Sequence, residues 1–115
     1  MDLPPLDPVI HQATRLRIMA LLFRNRSGTF TWVRDALGLT DGNLDAHVTR
    51  LEHAGYVQRG LGLTSRKGGF QVRLRITPEG DRAFRNYLEA LKAYLAPPAD
   101  DPSKTTDAAI SAQPR

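Results

Sequence analysis

Residues 39–57, "LTDGNLDAHVTRLEHAGYV", gather side chains whose chemistry is hydrogen bonding rather than bond making. Asn43 carries an amide that can pair with adenine through both of its groups, and Thr49 can donate to a phosphate or touch a thymine methyl. Arg50 can reach a phosphate or a guanine edge. Gly42 removes a side chain near the entry point, so the backbone can approach closely at some cost in helix propensity. Two carboxylates complicate this picture. Asp41 falls in the first turn of the expected helix, where negative charge complements the helix dipole by about 0.3–1 kcal/mol. Asp45, one turn later, can pair in the neighbourhood of Arg50 or accept from a cytosine amine, yet facing phosphates it would repel them.

The chemistry of the next segment is cationic. Residues 56–76 hold Arg59, Arg66, Lys67, Arg73 and Arg75 and no acid, whereas residues 39–55 hold Asp41, Asp45 and Glu52 against Arg50. A ribbon of charge +5 beside a helix of charge −2 suggests a polyanion as partner, although arginines that merely keep a hairpin soluble give the same count. Arg66 and Lys67 sit in "TSRKGG", a glycine-rich tip able to follow a minor groove or its phosphates. Arg59, Arg73 and Arg75 fit either phosphate contacts or solvated strand positions.

Other chemistries find little support. The 115 residues include no cysteine, which removes disulfides, thiolate metal sites and thiol catalysis together, and a reducing cytosol is compatible with that. His11, His47 and His53 lack carboxylate partners at ligand spacing, so no metal and no cofactor are expected. His47 sits beside the expected buried face and should pack or hydrogen-bond within the fold. No serine–histidine pattern and no phosphate loop after a strand is visible, so the chain is not expected to be an enzyme. Trp32 reads as core, or as the wall of a ligand pocket. The start, "MDLPPLDP", is acidic and proline-rich, unlike a signal peptide. The longest apolar run, Ile18 to Phe23, falls well short of the roughly 20 residues of a membrane span.

The elements that must hold these residues can be read from periodicity. After an extended leader over residues 1–6, Asp7-Pro8 resembles an N-cap followed by proline at the first helical position, opening a helix to about Arg26. Its stripe is Val9, Ala13, Leu16, Ala20 and Phe23, widened by Ile18, Met19, Leu21 and Leu22. "TFT", residues 29–31, allows only a short edge strand. Thr31 can cap a second helix from Trp32 to Leu37, ended by Gly38, and Thr40 a third from Asp41 to Ala54, ended by Gly55. In the third helix Leu44, Val48 and Leu51 mark a buried face. Geometry then sends Gly42, Asn43, Asp45, Ala46, Thr49 and Arg50 elsewhere. Only Gly38, Leu39 and Thr40 part the two helices, a helix-turn-helix spacing. Residues 56–63 and 70–76 read as a hairpin, with Val72, Leu74 and Ile76 alternating against Arg73 and Arg75. Thr77-Pro78 caps a last helix to about Leu95, whose Phe84, Leu88, Leu91 and Leu95 form a heptad-like seam. Residues 97–115 lack periodicity and are expected to be disordered. The fold class is mainly α with a small β-hairpin, in the order α-β-α-α-β-β-α: a winged helix-turn-helix.

"LTDGNLDAHVTRLEHAGYV", the basic hairpin and "RLRITPEGDRAFRNYLEAL" together resemble the winged helix-turn-helix transcriptional regulators of the MarR and ArsR kind, most of all small bacterial and archaeal members. The resemblance spans residues 7 to about 95. It implies a homodimer that binds double-stranded DNA at a palindromic operator through the third helix and the wing. By position, Thr40, Asp41, Gly42, Asn43, Asp45, Ala46, Thr49 and Arg50 match the exposed face of a recognition helix, and Arg66 and Lys67 the wing tip. Asp45 and Ala46 depart from relatives, which more often carry serine and a basic residue there.

The seam Phe84, Leu88, Leu91 and Leu95 is the expected dimer interface, since a small monomer seldom exposes so much of one. Lacking a separate effector domain, the chain would bind any small-molecule effector between subunits. A cytoplasmic protein without membrane contact is expected. The rival reading, motivated by Asp41, Asp45 and Ala46, is a winged-helix protein-interaction module that has lost sequence-specific DNA binding.

Overall fold

The computed structural model of the chain describes residues 2–63, 69–97 and 101–103. The elements are α1 (Ala13–Asn25), β1 (Ser27–Thr29), α2 (Phe30–Leu37), α3 (Asp41–His53), β2 (Val57–Leu63), β3 (Phe70–Ile76) and α4 (Pro78–Leu95). The order is the expected one. Most of the tail expected to be disordered lies outside the described residues.

α1 begins later than Asp7-Pro8 suggested. Asp7 does act as a cap, its Oδ1 accepting from the Val9 N–H at 2.8 Å, but it organises only a single turn. The chain bends at His11, and Gln12 restarts it as the N-cap of α1, accepting from the Arg15 N–H. The other Asp7 oxygen is engaged by the Tyr56 hydroxyl, a contact 49 residues away in sequence that no local pattern announces. Burial, with the Asp7 hydrogen bond behind it, pushes the Tyr56 phenol up to about 12.

α2 also starts two residues early. Thr29, not Thr31, is its N-cap, accepting from the Trp32 N–H at 3.0 Å. Trp32 is not core: it is 41% exposed, its ring lying across the face of Gly28. A β-carbon on Gly28 would stand 2.5 Å from that ring, so the glycine makes the packing possible.

β1, β3 and β2 form one antiparallel sheet in that order, with Gly28 opposite Leu74 and Arg59 opposite Leu74 on the other side. The three-residue β1 thus closes the inner edge of the hairpin. One core unites the layers: Ile18, Met19 and Leu22 of α1, Val33 of α2, Leu44, Val48 and Leu51 of α3, Val57, Leu74 and Ile76 of the sheet, and Phe84 and Tyr87 of α4. Rings of Phe23 and Phe84 pack 4.9 Å apart and tie α1 to α4.

What positions α3 is that core. Leu44, Val48 and Leu51 are fully buried. At about 1.5–3 kcal/mol each, their burial fixes the rotation of the helix and so its outward side. Its ends are equally determined. Thr40 Oγ1 accepts from the Asn43 N–H at 3.1 Å, while Gly55 at φ 81° closes the other end with Tyr56 N–H bonded to Leu51 O. Gly38, at φ 67°, ends α2 in the same left-handed way, so three residues turn the chain from α2 into α3.

Candidate nucleic-acid interface

With its apolar side buried, α3 turns Gly42, Asn43, Asp45, Ala46 and Arg50 outward, all exposed, with Thr40 exposed at the cap and Thr49 half-buried. Thr40 spends its acceptor lone pair on the cap and keeps a hydroxyl proton to give. The Asn43 amide makes no hydrogen bond within the chain among the described residues, so its donor and acceptor both remain available. Arg50 takes part in none of the ion pairs found among the described residues. A β-carbon on Gly42 would meet nothing within 4 Å. Arg66 and Lys67 lie outside the described residues.

The acids on α3 are each answered by an arginine from a neighbouring element. Arg34 of α2 reaches Asp41 at 2.8 Å and also Asp35 at 2.9 Å. These hydrogen bonds, to Asp35 first and Asp41 second, hold the Arg34 pKa above its ordinary value. Arg59 of β2 does more. Its guanidinium bonds Asp45 at 2.5 Å and Glu52 at 3.0 Å, and donates to Thr49 Oγ1 at 3.2 Å. Burial works against the Arg59 charge, but the bonds to Asp45 and Glu52 outweigh it and leave its pKa raised. Arg59 is therefore neither a free phosphate contact nor a solvated strand residue. It fastens the wing to α3 and masks Asp45 and Glu52. It also occupies an acceptor position on Thr49, which leaves that hydroxyl to donate outward.

Sequence reading missed these two clamps because neither shares an element with its carboxylates. The one available signal was the absence of acid in residues 56–76 beside a helix with surplus acid.

The remaining hairpin arginines lie on the other face of the sheet. Arg73 runs its stem across Gly62, where a β-carbon would come within 2.2 Å, and donates to Ser27 Oγ at 3.2 Å. Arg75 is exposed, paired in register with Gln58 and Ser27. Ser27, Gln58, Arg73 and Arg75 line a shallow depression there.

His47 faces inward from α3. Arg15 Nη1 stands 3.3 Å from its Nδ1, and since a guanidinium only donates, Nδ1 must accept and the ring be neutral. Burial first, and Arg15 second, hold its pKa below the ordinary value. Phe84 of the expected seam is 4% exposed and belongs to the chain's own core, whereas Leu88 is 38% and Leu95 76% exposed, with Leu91 half-buried. No described helix is long and apolar enough to cross a membrane.

A family described as the winged helix DNA-binding domain matches residues 14–95. An uncharacterized protein of Methanocaldococcus jannaschii is 34% identical over 80 residues, covering 70% of this chain and 85% of that protein. The solved structure of a transcriptional regulator homologue from Pyrococcus horikoshii superposes with a TM-score of 0.69 at 31% identity, over 76% of this chain and 84% of that one. AbfR of Staphylococcus epidermidis, in a structure bound to DNA, shares the fold with a TM-score of 0.61 at 19% identity, over 72% of this chain and 58% of its own.

Proposed function

Because this chain belongs to the winged helix DNA-binding domain family, we propose that it is a DNA-binding transcriptional regulator that works as a homodimer, with α3 in the major groove of an operator and the wing on the neighbouring groove or phosphates. The observation that carries this reading is the outward side of α3. Asn43 and Arg50 stand there unengaged, Gly42 and Ala46 leave room for base edges, and the aspartates are neutralised from behind. A groove about 12 Å wide accepts one such helix. Asn43 would read adenine, Arg50 a guanine or a phosphate, and Thr40 and Thr49 phosphates or a thymine methyl. Arg66 and Lys67 would follow the adjacent minor groove.

The exposed part of the seam, Leu88 and Leu95 with Leu91, supports pairing of two copies through α4. A two-fold dimer would place its α3 helices on half-sites about 10 bp apart or a multiple of that. The function asks for no catalysis and no cofactor. A genomic partner would have the protein work in the cytoplasm. The rival reading as a protein-interaction module rested on Asp41, Asp45 and Ala46; arginine partners offset the two aspartates, so Ala46 alone still speaks for it.

The test is binding of the full chain to the duplex upstream of its own gene as salt is raised. Six to ten phosphate contacts would cost about 10³–10⁵ in affinity between 50 and 200 mM salt. Absence of binding at the lowest salt refutes the proposal.

A further inference from the structure

The core face of the sheet does not stop where the core does. In an antiparallel ladder paired residues share a face, and every second pair returns to it. Val57–Ile76 and Arg59–Leu74 lie on the face that packs against the helices, since Val57, Leu74 and Ile76 are buried. The next pairs outward on that same face are Leu61–Val72 and Leu63–Phe70. There the covering helices have ended: Leu61 is 76%, Leu63 71% and Phe70 70% exposed. Three large apolar side chains in one stripe are the kind of surface a soluble protein keeps for a partner.

Two observations identify that partner. The stripe continues the α3 surface: Arg59, on this face, touches Asp45 and Thr49 on the flank of α3, and Leu63 lies four residues further along the strand, roughly 13 Å at 3.3 Å per residue. With α3 centred in a groove about 12 Å wide, a reach of that length is enough to bring Leu63 and Phe70 past the bordering sugar–phosphate strand to the wall of the adjacent minor groove. The second is charge. Residues 56–76 hold no acid, so the hairpin itself sets no carboxylate against a polyanion approaching the stripe, and the one arginine on that face, Arg59, neutralises the neighbouring Asp45.

We propose that the wing engages DNA through this apolar face, with Leu61, Leu63 and Phe70 packing on the deoxyribose edges of the minor-groove wall beside the half-site. The inference rests on the reading above, in which α3 occupies the major groove. Deoxyribose is the apolar component of the DNA backbone, and leucine and phenylalanine are among the side chains that minor-groove proteins press into the duplex. Such a contact displaces no counterion, so its contribution does not depend on salt, unlike that of every arginine in the interface.

The experiment compares the full chain with Leu63→Ser/Phe70→Ser and with Phe70→Leu on a 30-bp duplex recovered by selection from a random pool. The expected result is an affinity about tenfold weaker for the double serine variant, with an unchanged slope of log affinity against log salt. Hydroxyl-radical protection of the flanking sugars is lost while protection over the half-site remains. Phe70→Leu stays within about twofold of the parent. An unchanged affinity for the double variant, while the parent binds, overturns the wing contact alone. So does a DNA-free mass that falls on substitution, which would make the stripe a contact between copies. A parent chain that binds no duplex at low salt removes the α3 reading and this inference with it.

Discussion

Replacing Arg59 by methionine separates two roles that an arginine beside DNA can play. The substitution keeps an unbranched apolar side chain against α3 and deletes the charge. In the free protein it breaks the pairs to Asp45 and Glu52, whose side chains are 58% and 32% exposed against 25% for Arg59. Pairs at that exposure contribute about 0.2–1 kcal/mol each, so the fold should lose about 1 kcal/mol. For a domain of this size that lowers Tm by about 4–8 °C. On DNA the consequence is indirect: Asp45 is left unmasked on the outward side. A bare carboxylate about 7 Å from a phosphate costs about 0.6 kcal/mol at the dielectric of water, and with Glu52 and more than one phosphate involved the loss is about three- to tenfold in affinity. The assay is fluorescence anisotropy on a duplex of arbitrary sequence, where backbone terms act without base reading. If masking is the role of Arg59, adding Asp45→Asn to Arg59→Met recovers most of the lost affinity. If Arg59 leaves its partners and grips a phosphate itself, the double variant stays weak and the salt slope shrinks by about 0.9. That second outcome would refute the reasoning.

Three further outcomes are expected. Gly80→Ala should cost about 3 kcal/mol, seen as a Tm drop of at least 10 °C, because its β-carbon would stand 2.1 Å from the Tyr56 carbonyl oxygen where α4 starts against the hairpin. His47 has a folded pKa below 6.5, so the unfolded chain binds the extra proton: stability is full above about pH 6.5 and falls as pH drops through that value, a dependence that His47→Gln should flatten in thermal melts from pH 5 to 7.5. Leu88→Asp/Leu91→Asp should halve the mass found by sedimentation, and an unchanged mass would reject α4 as the pairing surface.

Much of this was legible in the chain itself. α3 was bounded to within one residue because three signals agree there: a threonine cap, a 4–3 apolar spacing and a terminating glycine. Its rotation followed from Leu44, Val48 and Leu51 alone. The hairpin was equally plain from the alternation of Val72, Leu74 and Ile76. Where local rules offered two solutions, they could not choose. Thr29 and Thr31 both satisfy a cap, and the structure takes the earlier one, with the ring of Trp32 laid over Gly28. Asp7 looked like the start of a long helix, but the Tyr56 hydroxyl draws on the same carboxylate and the chain restarts at Gln12. The masking of Asp41 and Asp45 was hidden for a related reason. Arg34 and Arg59 sit on α2 and β2, and only the folded arrangement brings them to α3. Phe84 shows the limit of a heptad: its spacing matches the seam, while its ring is used up against Phe23 within the chain's own core.

The most direct test of the α3 assignment is selection of duplexes from a random pool by the full chain and, in parallel, by Asn43→Ala. The expected result is a two-fold symmetric motif from the parent, with half-sites about 10 bp apart or a multiple of that. In the variant, preference should be lost at one A·T position of each half-site and kept elsewhere. A motif that survives Asn43→Ala unchanged, or no enriched motif from the parent, would contradict it.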